Sequence, residues 1–374
     1  MKIQAALSLQ SRQPLQIEEV ELNDVLGPHE ILVKNVASGI CHSDISMRDA
    51  PAGIPLMAKP AVLGHEGSGI VQRVGSAVTT LQPGDHVVMS FHYDGSCPNC
   101  QQRMHPYCTD FLANNLMGKR LDGSRAITSP HHQNIAASYH QQSSFATYSI
   151  ATDHNAVKVP NDLPLELLGP LGCGFLTGAG AVCNRIKPKP GSSFAMFGVG
   201  ALGFAAIHMA KKAGCSTIIA IDLHESRLQL AREFGATHTI NASEVDNTVK
   251  ALNRICRGGV DYAYEASGSA RVMSQAIDSI APGGTCILSG VVLDPAQKVE
   301  FAPAKFMLNK TVGGVLMGHA DMPGTIAALI DAVRSGEFPL QKLVKMYEFA
   351  DINQAMADSE RGLAIKAIVR MPRD

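Results

Sequence analysis

The chain has 374 residues, 45% of them hydrophobic and 17% charged. That is the composition of a soluble globular protein, of about two domains at roughly 100–200 residues each. Lys plus Arg total 32 and Asp plus Glu 33, for a net charge of −1, so no electrostatic footprint for nucleic acid or an anionic membrane exists and both are excluded as partners.

Short strands fill the first 100 residues. Residues 30–36 and 69–75 mix polar and apolar positions much as half-buried strands do, and Pro83-Gly84-Asp85 predicts a turn before a strand over 86–89. Residues 109–144 are polar, rich in Gln, Asn and His, and without period. They read as a long excursion, functional or an oligomer contact. The middle of the chain alternates: strand 193–197, a glycine cluster, helix 202–212, strand 217–221, helix 225–234 and strands 260–264 and 285–289. Alternating β and α units imply a parallel, doubly wound sheet. A helix near 325–335 lies in the final, mixed segment. The most apolar stretch, 194–210, carries three Gly and a His and runs into Lys211-Lys212, short of the roughly 20 residues of a membrane span. Gln, Ser and Arg interrupt the opening residues before any signal-peptide core forms, so the expected location is the cytoplasm, with reduced thiols.

Gly198-Val199-Gly200-Ala201-Leu202-Gly203 fits G-x-G-x-x-G between a strand and a helix, and Asp222 ends the next strand. Gly198 would make the tight turn, Gly200 would admit the pyrophosphate, and Gly203 would let helix and strand pack closely. The helix N-terminus favours the phosphates, and Asp222 can accept from the adenosine ribose hydroxyls. Its carboxylate would repel a 2′-phosphate and so favours NAD over NADP, whereas nearby Arg227 argues the other way.

The nine cysteines fall into two kinds. Cys41, His65 and Cys173 form a Cys₂His set that leaves a fourth zinc position open for water or substrate. Asp94, Cys97, Cys100 and Cys108 have the spacing D-x2-C-x2-C-x7-C in a turn-rich segment, as in a closed structural zinc loop with one oxygen ligand. His92 and His105 are fallback ligands there. Cys183, Cys215, Cys256 and Cys286 show no pattern and are expected in the core. His131, His132 and His140 are expected to be solvated. Phe91, His92 and Tyr93 could form a pocket wall, although Phe91 and Tyr93 fit a core equally well.

Four segments carry a family resemblance: Cys41-His42-Ser43-Asp44, Val62-Leu63-Gly64-His65-Glu66-Gly67-Ser68-Gly69, Gln142-Ser143-Ser144-Phe145-Ala146-Thr147-Tyr148 and Leu168-Gly169-Pro170-Leu171-Gly172-Cys173-Gly174. With the dinucleotide motif they resemble the zinc-dependent medium-chain alcohol dehydrogenases, and among these the bacterial benzyl-alcohol (aryl-alcohol) dehydrogenases. The resemblance implies an α/β protein. A GroES-like β-rich catalytic domain over 1–176 and 317–374 would be interrupted by a Rossmann NAD-binding domain, a doubly wound parallel sheet, over 177–316. It implies an active site in the cleft between them, and homo-oligomers, dimers or tetramers, joined through the coenzyme domains.

The resemblance also implies reversible, NAD-linked oxidation of a primary aromatic alcohol to its aldehyde, with one catalytic and one structural zinc. Zinc would lower the pKa of the alcohol, Ser43 would accept its proton, and hydride would pass to C4 of the nicotinamide. Asp44 would orient His65, Glu66 would sit beside the metal, and Lys366 and His42 would contact the pyrophosphate. Two departures stand out. Asp94 replaces the usual first structural cysteine, and Ser46 stands where many animal members end a proton relay with His, so release would run through water or His42. Alternatives are an allylic terpene alcohol (geraniol-type) dehydrogenase, a glutathione-dependent formaldehyde dehydrogenase and a zinc-free, non-catalytic NAD-binding relative.

Overall fold

A computed structural model of the chain describes all residues except 52, 54, 55, 293–295, 373 and 374. Two compact units divide it: Met1–Gly174 with Met322–Asp374, and Phe175–Asp321.

The first unit is built on two sheets. The larger runs Val344–Glu348, Lys366–Arg370, Glu30–Gly39, Gly67–Val74, His86–Met89 and Ala156–Lys158, with Tyr148–Thr152 also pairing onto Glu30–Gly39. The smaller runs Ala61–Val62, Lys2–Ser8, Gln16–Leu22 and Ile127–Thr128. The strand Glu30–Gly39 shows why the sheet folds as it does. Successive side chains on a strand point to opposite faces. Ile31 and Val33 therefore join Val71, Val87 and Met89 in one core, while Leu32 joins the larger core of Leu7, Val62, Phe145 and Ile352. At the far end of this strand no side chain fits on Gly39, because a Cβ there would collide with Glu66 and Pro170.

The second unit holds six parallel strands in the order His238–Asn241, Thr217–Asp222, Ser193–Phe197, Val260–Glu265, Ile280–Leu288, Thr311–Gly314. Helices Ala201–Lys212, Glu225–Phe234, Thr248–Ile255 and Ala270–Ser279 connect them. Near-continuous apolar runs such as Thr217-Ile218-Ile219-Ala220-Ile221 suit strands covered on both faces. Successive strands run outward from Ser193–Phe197 in opposite directions, so a crevice opens beside its C-terminal end, where such sheets bind ligands. The strand expected over 285–289 starts earlier, at Ile280, with an irregular register that absorbs Pro282-Gly283-Gly284. Among the described residues no single helix is long and apolar enough to cross a membrane.

The excursion over 109–144 is less open than its composition implies. Residues 135–144 are all buried, and the segment carries the helix Phe111–Leu116. A buried ion pair ties it to the sheet. Arg120 donates from Nε to Glu30 Oε1 at 2.8 Å and from Nη2 to Glu30 Oε2 and to Val25 O, while Gly27 N caps the same carboxylate at 2.7 Å. Removing one member of a buried pair strands its partner's charge, so Arg120→Ala is expected to destabilise the protein by about 3–5 kcal/mol. Arg120→Met with Glu30→Gln should lose distinctly less, as read from urea unfolding midpoints.

Candidate functional site

Asp44 organises the first cluster. It lies in the first turn of the helix His42–Asp49 and is fully buried. Its Oδ2 accepts from Cys41 N at 2.9 Å. Its Oδ1 accepts from Gly64 N at 3.0 Å and meets His65 Nδ1 at 2.9 Å. Gly64 adopts φ +89°, and a side chain there would run into Phe145, so the turn is a glycine turn that aims His65 inward. With Nδ1 on Asp44, the imidazole presents Nε2 to Cys41 and Cys173, and the three ligand atoms lie within 4.8 Å of one another. Two thiols and an imidazole converging at this distance fit one tetrahedral metal with a position to spare.

Charge is shared unevenly across the cluster. A hydrogen bond from Cys173 pulls the Cys41 thiol well below the usual range, helped by His65 and Lys366 and opposed by burial. The same bond, with burial, pushes Cys173 well up. Burial opposes charge on His65, yet Asp44 and Cys41 hold its pKa well above normal. The Cys41 sulfur carries the negative charge and the His65 ring the positive charge beside it, while Cys173 keeps its proton.

Around the cluster, Ser43 is exposed and its Oγ lies 3.8 Å from Cys41 Sγ; His42 is exposed beside it. Ser46 is half-buried in the same helix. Glu66 is fully buried, with Oε1 accepting from Gly174 N at 3.0 Å. Burial raises the pKa of Glu66, while Lys366 opposes that rise.

Lys366 corrects an expectation. Its ammonium donates to Glu66 Oε1 and Oε2, each at 2.9 Å, and to Ile40 O at 3.0 Å. An ammonium has three donors, so none is left for a pyrophosphate. His140 is the second correction. It is not solvated but buried, its ring stacked on His65 at 4.8 Å and 25°. Burial and the nearby His65 hold its pKa well below the usual value. The signal was available: Ile135-Ala136-Ala137 and Phe145-Ala146 bracket this polar run and pull it inward. His132 meets Glu18 at 3.0 Å, and His131 is exposed.

In the second cluster the ligand atoms of Asp94, Cys97, Cys100 and Cys108 lie within 4.8 Å of one another. Asp94 Oδ1 accepts from Cys97 N at 2.7 Å and from the amide and hydroxyl of Ser96, and Oδ2 accepts from Cys108 Sγ at 2.9 Å. The Cys108 bond, against burial, holds the Asp94 carboxyl well below the usual range. Hydrogen bonds, first that with Thr109, bring Cys97 down to about 7, while burial and Asp94 push Cys108 up to about 12. Oxygen and sulfur donors therefore close one site. His92 and His105 are outside it: His92 Nδ1 meets Thr152 Oγ1 at 3.0 Å, and His105 stacks on Tyr93 at 3.9 Å. Phe91 is a core residue packed against Phe111. Of the remaining cysteines only Cys286 is buried. Cys215 and Cys256 are half-buried, and Cys183 is exposed because Ala181, Val182 and Ile186 take the inner face of its helical turn.

In the second unit, Gly198 has φ +90°, and a Cβ on Gly203 would stand 2.5 Å from Gly198 O. A Cβ on Gly200 would meet nothing within 4 Å. Gly198 and Gly203 are demanded by the protein's own backbone, whereas at Gly200 open space remains over the helix N-terminus, as a phosphate cradle requires. Asp222 Oδ2 accepts from Val199 N at 2.7 Å, Oδ1 lies 3.0 Å from both His224 N and His224 Nδ1, and Arg227 Nη1 stands 3.9 Å away.

Comparison with known proteins agrees with this geometry. Residues 27–161 match the alcohol dehydrogenase GroES-like domain and residues 201–334 the zinc-binding dehydrogenase domain. Geraniol dehydrogenase of Castellaniella defragrans is 38% identical, over 98% of this chain and 97% of that protein. The crystal structure of benzyl alcohol dehydrogenase from Acinetobacter calcoaceticus superposes with a TM-score of 0.92 at 40% identity, covering 100% of both chains. An alcohol dehydrogenase zinc-binding domain protein from Burkholderia ambifaria gives 0.94 at 43% identity, again over 100% of both. The chain belongs to the zinc-dependent medium-chain alcohol dehydrogenases.

Proposed function

We propose that the protein catalyses the reversible, NAD-linked oxidation of a primary aromatic alcohol to its aldehyde. The observation that carries the chemistry is the Cys41, His65 and Cys173 cluster anchored on Asp44, three ligands where a tetrahedral zinc takes four. Zinc held there supplies a Lewis acid that lowers the pKa of an alcohol hydroxyl. Asp44 fixes the tautomer and orientation of His65. Ser43, with its Oγ 3.8 Å from Cys41 Sγ, would accept the hydroxyl proton and pass it outward, with exposed His42 next to it. Glu66 and Lys366 brace the floor of the cluster through Gly174 and Ile40.

Gly198, Gly200 and Gly203 would hold the pyrophosphate over the helix N-terminus, and Asp222, with Arg227 against it, would receive the adenosine ribose. The carboxylate favours NAD over NADP by charge repulsion of a 2′-phosphate. Asp94, Cys97, Cys100 and Cys108, with ligand atoms within 4.8 Å of one another, would hold a structural zinc. The aryl preference is supported by likeness to a benzyl alcohol dehydrogenase, and a geraniol-type alcohol is the second reading, supported by the geraniol dehydrogenase relative. The protein is proposed to work in the cytoplasm, where its ligand thiols stay reduced, as a dimer or tetramer.

Two measurements check this reading. Initial rates of NAD reduction across benzyl, cinnamyl, geranyl, ethyl and sorbitol substrates should give the highest kcat/KM on benzyl alcohol. NADP should give at least about tenfold less, a difference of about 1.4 kcal/mol. Ethanol or sorbitol matching benzyl alcohol, or NADP matching NAD, contradicts the assignment. For the brace, Lys366→Met should cost about 3–5 kcal/mol because it leaves Glu66 buried without its partner. Adding Glu66→Gln should recover most of that loss in urea unfolding.

A further inference from the structure

We infer that His140 is a positioning residue for His65, the flat surface that fixes the tilt of the metal-facing imidazole; the inference rests on the metal-site reading above. One hydrogen bond to Asp44 sets the tautomer of His65 and holds one edge of its ring. The faces of a ring are fixed only by what packs on them. Here the packing is specific. His140 covers one face at 4.8 Å and 25°, and Tyr139 meets the ring edge-on at 5.1 Å and 74°. Tyr139 and His140 are themselves perpendicular at 4.7 Å, so the three rings brace one another. All three are at least nine-tenths buried.

The turn that delivers His140 is costly to form. His140, Gln141 and Ser143 have φ of 50°, 50° and 45°, a conformation that residues other than glycine keep only when their surroundings over-determine it. The surroundings do so. Asn155 Nδ2 donates to His140 O at 2.8 Å and Gln141 O at 3.0 Å. Gln141 Nε2 donates to Asn114 O and Lys119 O, and Ser143 Oγ to Val62 O. Gln142 reaches into the metal segment itself, donating to His65 O at 3.0 Å and accepting from Gly67 N at 3.0 Å. Against this bracing, His140 Nδ1 is buried with no hydrogen-bond partner. No bond from Nδ1 dictates where the ring lies. Backbone bracing and stacking place it, which is what a packing surface for His65 requires.

The test uses the full chain loaded with cobalt, whose visible absorption reports ligand geometry. Cys41→Ala identifies the bands that belong to this site. His140→Ala is expected to shift those bands and to release the metal to a chelator about tenfold faster or more, the range for residues that orient a metal ligand. His140→Phe, which restores a flat ring, should return both readouts close to wild type and keeps the inference testable if the alanine variant folds poorly. Wild-type bands and release rate in His140→Ala, or His140→Phe behaving like the alanine variant, overturn the inference. A Cys41→Ala protein with the wild-type cobalt spectrum overturns the metal reading beneath it, and the inference with it.

Discussion

The first unit depends on one buried carboxyl group. Asp44 contacts Cys41 N, Gly64 N and His65 Nδ1, joining the start of one helix to the glycine turn that carries the histidine. A buried polar group must be satisfied where it lies. Asp44 is satisfied only if Cys41 and His65 sit beside each other, so folding the unit and bringing two of the three candidate metal ligands together are one event. Cys173 arrives independently, after the Gly169–Gly172 turn, where a Cβ on Gly172 would strike the Met89 carbonyl. The close backbone approach at that glycine sets where the second thiol stands.

Beneath this lies a layer of paired charge. Glu66 follows His65 directly, and its carboxylate is held by Lys366, from a strand three hundred residues further along the chain. The pair closes the unit's two sequence segments around the ligand cluster. Lysine's three donors are all used within the unit, so its part is structural support for the ligand-bearing turn. In the second unit the same economy is reached with glycines, where two positions are filled by the protein's own backbone and one is left open over a helix end.

Much of this was legible in the sequence because it rests on local rules. Gly198, Gly200 and Gly203 announce their turn through spacing, and the parallel strands through continuous apolar runs bounded by glycine. The Cys97, Cys100 and Cys108 spacing is a single loop, and Asp94 falls within the same loop, so its place beside them needs no long-range contact. Cys41, His65 and Cys173 are far apart, and only the combination with the dinucleotide motif singled them out. What failed depends on distant partners. A lysine near the C-terminus looks like a phosphate contact until Glu66 is seen to occupy it. His140 lies in a polar run, and polar runs are read as solvated; its burial follows from asparagine and glutamine side chains that satisfy the backbone from 14 or more residues away, as Asn155 does with Gln141 and Gln141 with Lys119. Cys183 looks like a core residue by type, yet helical geometry gives the inner face to its neighbours.

The central claim is that Cys41, His65 and Cys173 hold zinc with one position left free. X-ray absorption at the zinc edge tests it directly in the Cys100→Ser protein, where the second cluster has lost a ligand. The account predicts two sulfur neighbours at about 2.3 Å and one nitrogen at about 2.0–2.1 Å, with a light atom completing the shell. A shell of three or four sulfurs, or one with no nitrogen, would contradict it.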